Sequence, residues 1–167
     1  MTLSRLIPAF IFLVAIGSMA LALTAQHLFK LEPCILCLYQ RVPFVATGLL
    51  AVLALRLKPS STLIPLLVIL CGLIYLGGAG IAIYHVGVEQ HWWISGCSGS
   101  LADNVTLDQL RASLTHKPAK SCDDVDWTLY GFSMATYNVV FSSALGLASI
   151  AAGMQLSKTG KMKTDKK

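Results

Sequence analysis

The sequence predicts an all-α membrane protein: a four-transmembrane-helix bundle with a short first and a long second periplasmic loop, the long one carrying a short amphipathic surface helix. Three observations predict it. Of the 167 residues, 55% are hydrophobic and 13% charged, a balance that makes lipid the solvent for most of the chain. The apolar residues gather into long runs near the length that crosses a bilayer core. The cations segregate as well: the net charge of +5 owes much to a tail holding Lys158, Lys161, Lys163, Lys166 and Lys167, which reads as a topology signal and not as a nucleic-acid surface.

Taken in order, the first span runs from about Leu6 to Phe29, with Arg5 before it and Lys30 after. A secretory signal peptide cut near Ala20-Leu21-Ala22 is the competing reading, but the apolar run is longer than such h-regions. The second span covers about residues 38 to 57, and Pro43 fits it only within the first helical turn, where a missing N–H costs nothing. The turn Lys58-Pro59-Ser60-Ser61 leads into a third span of about 63 to 88, so these two helices form an antiparallel hairpin. Gly72, Gly77, Gly78 and Gly80 in the third run allow close helix approach.

Residues from about 89 to 128 form the one long polar segment, against a first loop of about 30 to 37. Within it Thr106-Leu107-Asp108-Gln109 has capping-box form, and Leu107, Leu110 and Leu114 share a helical face, which predicts a short helix on the membrane surface. The fourth span runs from about Leu129 to Leu156, and a basic tail of 157–167 follows. Arg5, Arg56, Lys58 and the tail fall on one side, and most of the acids on the other. By the positive-inside rule both termini are cytoplasmic, and both loops face the exoplasmic side, the periplasm in a bacterium.

Those two loops hold four of the five cysteines, which suits an oxidising compartment. Cys34 and Cys37 form a C-x-x-C pair at the mouth of the second helix, where free N–H groups and the helix dipole favour a thiolate. Closing so short a loop contributes roughly 2 kcal/mol by chain entropy, against roughly 3.5 kcal/mol for about 25 residues, so the bond is placed for turnover more than for stapling. A structural disulfide or half of a zinc site are the alternatives. Arg41 shares a face with both thiols if the helix is continuous there, and it can support a thiolate or polarise an acceptor; otherwise it is a snorkelling interfacial residue.

Cys97 and Cys122 are the natural second pair, either a staple for the long loop or a dithiol that exchanges with the first pair. A zinc site built from all four loop cysteines lacks the close second spacing of the usual ribbons. Cys71, inside the third run, is a small packing residue. His85 and Glu89, four apart at the end of that run, either anchor at the interface beside Trp92 and Trp93 or line a polar notch near Arg41. No nucleotide loop, haem motif or flavin fingerprint is present, so a dithiol here needs an electron acceptor that is itself soluble in lipid.

The stretch Pro33-Cys34-Ile35-Leu36-Cys37-Leu38-Tyr39-Gln40-Arg41, followed by a widely spaced loop pair within four spans, closely resembles the disulfide bond formation protein B family, DsbB. Tyr84-His85 with Glu89, and the approach from Cys122 and Trp127 to Gly131-Phe132-Ser133-Met134, support the likeness, which covers about Leu6 to Leu156. The resemblance implies an inner-membrane oxidase that regenerates a periplasmic thioredoxin-like oxidase, DsbA, and passes electrons to a membrane quinone, ubiquinone or menaquinone, a relay that is itself a worked case of redox poise. It further implies that Cys97 forms the mixed disulfide with the partner and that Cys122 exchanges with Cys34. Cys37 is then left beside the quinone as a thiolate adduct or charge-transfer pair. Arg41 would stabilise that thiolate and the reduced quinone, with His85 and Glu89 as secondary members of the quinone pocket and no metal involved. Gln40 stands where the family also carries Glu, so any tuning by a carboxylate there is missing. A vitamin K epoxide reductase-like protein would place its C-x-x-C after the loop pair, and a tetraspanin-like scaffold would carry Cys-Cys-Gly in the long loop; the sequence does neither.

Overall fold

The computed structural model describes residues 2–93, 95–97, 120–125 and 127–164, the last four as backbone only. The surface helix expected around Thr106 lies outside the described residues.

Helix α1 spans Leu3–His27, α2 Ile35–Tyr39, α3 Val42–Arg56 and α4 Leu63–Glu89. A two-stranded hairpin follows, β1 Thr128–Leu129 against β2 Phe132–Ser133, and α5 covers Met134–Thr164. Four helical stretches are long and apolar enough to span a membrane: Leu3–His27, Ile35–Arg56, Leu63–Glu89 and Met134–Gly160. Large apolar side chains such as Leu13, Leu21, Leu49, Leu66, Val140 and Leu147 stand exposed on the outside of the bundle. In water such a surface would aggregate; against acyl chains it is the expected exterior.

Within the bundle α4 packs most extensively on α5, while α3 lies between α1 and α4. The α4–α5 contact is close because glycines face each other across it. A Cβ added at Gly72 would come 2.8 Å from the Gly146 carbonyl oxygen, and one at Gly153 would come 3.0 Å from that of Pro65. Small residues let backbones approach in a membrane, where dispersion and not hydrophobic expulsion holds helices together. Gly78 plays the same part against Pro43 of α3, whereas Gly77 and Gly80 face open space. The sequence expectation for α4 glycines therefore holds for two of the four named.

The core follows from these contacts. Ile11, Phe44, Ala51, Ile64, Val68, Cys71 and Tyr75 form one buried cluster, with the Phe44 ring edge-on to Tyr75 at 5.5 Å. Ile7, Leu57 and Leu156 pack against it, so the chain start, the α3–α4 turn and late α5 gather at one end of the bundle. Cys71 is a packing residue there, its thiol 3.8 Å from the Thr47 carbonyl.

The second span comes as two helical pieces meeting at Gln40 and Arg41, and Pro43 stands in the first turn of α3, where its missing N–H costs nothing. One boundary is corrected. The fourth helix begins at Met134, not near Leu129. Tyr130 and Gly131 both take positive φ, as a primed two-residue hairpin turn requires, and Ser133 then caps the helix by accepting the Thr136 N–H at 3.2 Å.

Candidate functional site

At the opposite end of the bundle, the end of α4, the start of α2 and the Cys97 and Cys122 segments converge. Cys34, Leu36, Val88 and Cys122 form a second buried cluster, with Cys37 and Cys97 packed on it. The chain thus brings both sequence-predicted cysteine pairs into one place. Cys97 and Cys122 are joined by a disulfide with Cα atoms 5.4 Å apart, and the Cys122 N–H donates to the Cys97 carbonyl at 2.8 Å. Cys34 and Cys37 are free thiols with Sγ atoms in hydrogen-bond contact at 2.9 Å.

Cys34 is the N-cap of α2, and its Sγ accepts the Cys37 N–H at 3.3 Å. His85 approaches from α4 with Nε2 3.5 Å from the same sulfur. Together these hold the Cys34 thiol down to about 4 from an ordinary 9.0; the hydrogen bond with Cys37 contributes most, outweighing the burial that opposes it, and His85 adds to it. The arrangement can therefore present a stable thiolate, the form that attacks or is regenerated in disulfide exchange.

Arg41 sits at the junction of α2 and α3, where the backbone keeps right-handed helical φ and ψ. Its Nη1 donates to Gln26 Oε1 of α1 at 2.9 Å. Glu89 lies with Oε1 3.7 Å from His85 Nε2, and its Oε2 accepts from Ser133 Oγ at 2.5 Å. Cys34, Cys37, Arg41, His85 and Glu89 all line a single cavity of about 790 Å³. Its remaining walls are largely apolar, with Met19, Leu21, Phe44, Val140 and Phe141 among them. Such a volume, mostly apolar with a few converging polar groups, suits an organic molecule with a flat polar head.

Cys34, Cys37 and His85 also place two sulfurs and a ring nitrogen within 4.8 Å of one another, a donor set that a soft cation could use. A four-cysteine site is not formed, because Cys97 and Cys122 are bonded to each other.

Sequence reading passed over three side chains. Gln26 holds Arg41, Ser133 holds Glu89, and Asn138 donates to Gln40 Oε1 at 2.6 Å. One signal was available: Asn138 is the one side-chain amide between Met134 and Gly153, four residues before Ser142, polar where lipid would penalise it, and such residues turn inward toward function.

A membrane bundle that sets a C-x-x-C dithiol against a second, oxidised cysteine pair defines a class: a membrane thiol–disulfide oxidoreductase. Comparison with known proteins makes this specific. The family model described as disulfide bond formation protein DsbB matches residues 4–152. Similar curated proteins, each called disulfide bond formation protein B, come from Pasteurella multocida (34% identity, 72% of this chain, 69% of the relative) and Xylella fastidiosa strain Temecula1 (31%, 88% and 88%). A third, from Acinetobacter baumannii, is 31% identical over 82% of this chain and 83% of its own length. No solved structure matches at comparable significance. The chain belongs to the DsbB family, and it is a membrane disulfide bond formation protein.

Proposed function

We propose that the protein reoxidises a periplasmic DsbA-like dithiol oxidase and delivers the electrons to a membrane quinone, in the bacterial inner membrane, with both termini cytoplasmic and the cysteine loops periplasmic. The observation that carries this reading is the packing of two cysteine pairs against each other, Cys97 bonded to Cys122 and Cys34 beside Cys37 with Sγ atoms 2.9 Å apart. Pairs so placed are within reach for exchange with each other.

In the proposed outer exchange, a partner thiolate attacks Cys97 Sγ, the Cys97–Cys122 bond breaks, and Cys122 leaves as thiolate. The partner's second thiolate then attacks its own mixed sulfur, so the partner ends as a disulfide and Cys97 as a thiol. In the inner exchange Cys122 attacks Cys34 of a Cys34–Cys37 disulfide, Cys37 leaves as thiolate, and attack by Cys97 on Cys122 restores the outer disulfide with both inner thiols reduced. Burial of Cys122 beside Cys34 supports this order.

Ubiquinone or menaquinone, when bound, supplies the two-electron sink that a dithiol in lipid lacks. The residues fit such a group: the 790 Å³ cavity is largely apolar, and Arg41, His85 and Cys37 line it together. Arg41, held by Gln26, fixes a cation for the reduced head group, and Cys37 is the thiol nearest the sink in this scheme.

The test is quinone reduction by the purified protein in detergent with excess reduced thioredoxin-like oxidase as donor. Wild type is expected to consume the oxidised-quinone absorbance, and Cys34→Ala and Cys97→Ala are expected not to. A wild-type protein inert with every quinone and donor of these classes would refute the proposal.

A further inference from the structure

A chain of polar side chains runs from the apolar interior of α5 to the inner dithiol. Ser142 Oγ donates to Asn138 Oδ1 at 2.8 Å, and Asn138 Nδ2 donates to Gln40 Oε1 at 2.6 Å. Gln40 Nε2 then meets His85 Nδ1 at 2.7 Å, and His85 Nε2 meets Cys34 Sγ at 3.5 Å. Ser142, Gln40 and His85 are buried and Asn138 is half-buried, so the chain is largely shielded from water.

The sense of the chain decides where the imidazole proton sits. An amide nitrogen has only hydrogens to offer, so Gln40 Nε2 forces Nδ1 to be the acceptor. A neutral imidazole that accepts at Nδ1 carries its proton at Nε2. That N–H is the one facing Cys34 Sγ, which accepts at 3.5 Å, with Glu89 Oε1 at ion-pair distance, 3.7 Å, beside it. Gln40 can turn its amide over only if Asn138 turns with it, because its Oε1 accepts from the Asn138 amide; as the chain stands, Ser142 donates to Asn138 Oδ1 and supports that sense.

We infer that Asn138 and Gln40 are positioning residues of the inner dithiol: in series they fix His85 in the Nε2–H form, so that the ring presents a donor, and never a lone pair, to Cys34. Neither touches a sulfur; both act through His85. The consequence for turnover rests on the redox reading above, but the tautomer itself does not. A donor at Cys34 favours the thiolate that leaves when Cys97 resolves the Cys122–Cys34 mixed disulfide, whereas a lone pair there would repel it.

The experiment is nitrogen NMR of the full-length reduced protein in detergent, labelled at histidine, with the His85 signals assigned by their loss in His85→Gln. In wild type Nδ1 is expected at the position of an unprotonated, pyridine-type nitrogen and Nε2 at that of a protonated, pyrrole-type one. Gln40→Glu replaces the donor by a carboxylate that accepts from Nδ1, so Nδ1 is expected to shift to the protonated position. Asn138→Leu frees Gln40 to turn over, and Nδ1 is expected to move part of the way. A merely structural role would leave the tautomer as in wild type in any variant that folds. Protonated Nδ1 in wild type, or a wild-type pattern kept in the variants, would overturn the inference. If Gln40→Glu fails to insert, Asn138→Leu decides alone, since it removes a polar group from lipid. No donor or quinone is present in this measurement, so failure of the electron-relay assay and failure of this inference are separate results.

Discussion

Reducing the protein and lowering the pH isolates the chemistry of Cys34. With its thiol held well below the ordinary 9.0 by the hydrogen bonds of Cys37 and His85, Cys34 is ionised at pH 7, where an unperturbed thiol would be ionised in about one molecule per hundred. The titratable groups that line the cavity with it are Cys37 and Glu32 on its own segment, His85 and Glu89 on α4, and Arg41, Lys120 and Asp124. The assay is ultraviolet thiolate absorbance of the fully reduced protein in detergent, as a difference against Cys34→Ser. One equivalent of thiolate is expected to persist down to pH 5 and to vanish only as the pH falls through about 4. Cys37→Ala removes the largest cause of the shift and should raise the midpoint more than His85→Leu does. The same linkage acts on folding. Between pH 9 and 4 the unfolded reduced chain binds a proton that the folded one does not, so this contribution is full above pH 9 and drains away as the pH falls toward 4. A midpoint near the ordinary thiol value, or a larger effect from His85→Leu than from Cys37→Ala, would refute the account of the site.

The other expectations follow from single contacts. Gly72→Ala places a methyl 2.6 Å from Ile150 and 2.8 Å from the Gly146 carbonyl, so it should lower the thermal midpoint in detergent, with a cost of about 1–3 kcal/mol, while Gly77→Ala, which faces open space, should leave it unchanged or slightly raised. Equal effects of the two would remove the case for a glycine-mediated α4–α5 contact. Arg41→Ala should raise the apparent KM for quinone more than that for the dithiol donor, and Gln26→Leu should do so to a smaller extent because it only releases the guanidinium; equal loss on both substrates would point to misinsertion. Cys122→Ser leaves Cys97 a thiol without its internal partner; it should attack the disulfide of the oxidised thioredoxin-like protein, freeing that protein's second thiol, and the mixed disulfide, which Cys122 can no longer resolve, should survive longer on non-reducing gels than in wild type, while Cys97→Ser should form none. Accumulation at Cys122 in the Cys97→Ser protein would reverse the proposed order.

Much of this molecule is legible in one dimension because a bilayer imposes one-dimensional rules. A span needs a set length of apolar chain, and irregular backbone is driven to the ends of those spans. Four runs of that length therefore set the architecture, and the spacing of Cys34 and Cys37 marked the candidate site, as Pro43 marked the first turn of α3. Where the last span begins is less legible: the β hairpin at Tyr130-Gly131 depends on a turn conformation that hydropathy does not record.

What the sequence by itself determined was thus the class of fold, the residue types of the site and the pairing of two dithiols, since hydropathy and local spacing are properties of consecutive residues. Only the tertiary structure decided which groups meet. That Arg41 turns to Gln26 and not to the thiols, that Glu89 is held by Ser133, and that Asn138 reaches Gln40 across 98 positions are outcomes of helix packing. Their physical reason is the same in each case. A buried polar group in lipid must find a partner, and the nearest one is set by which helix faces approach, a relation that no stretch of contiguous sequence contains.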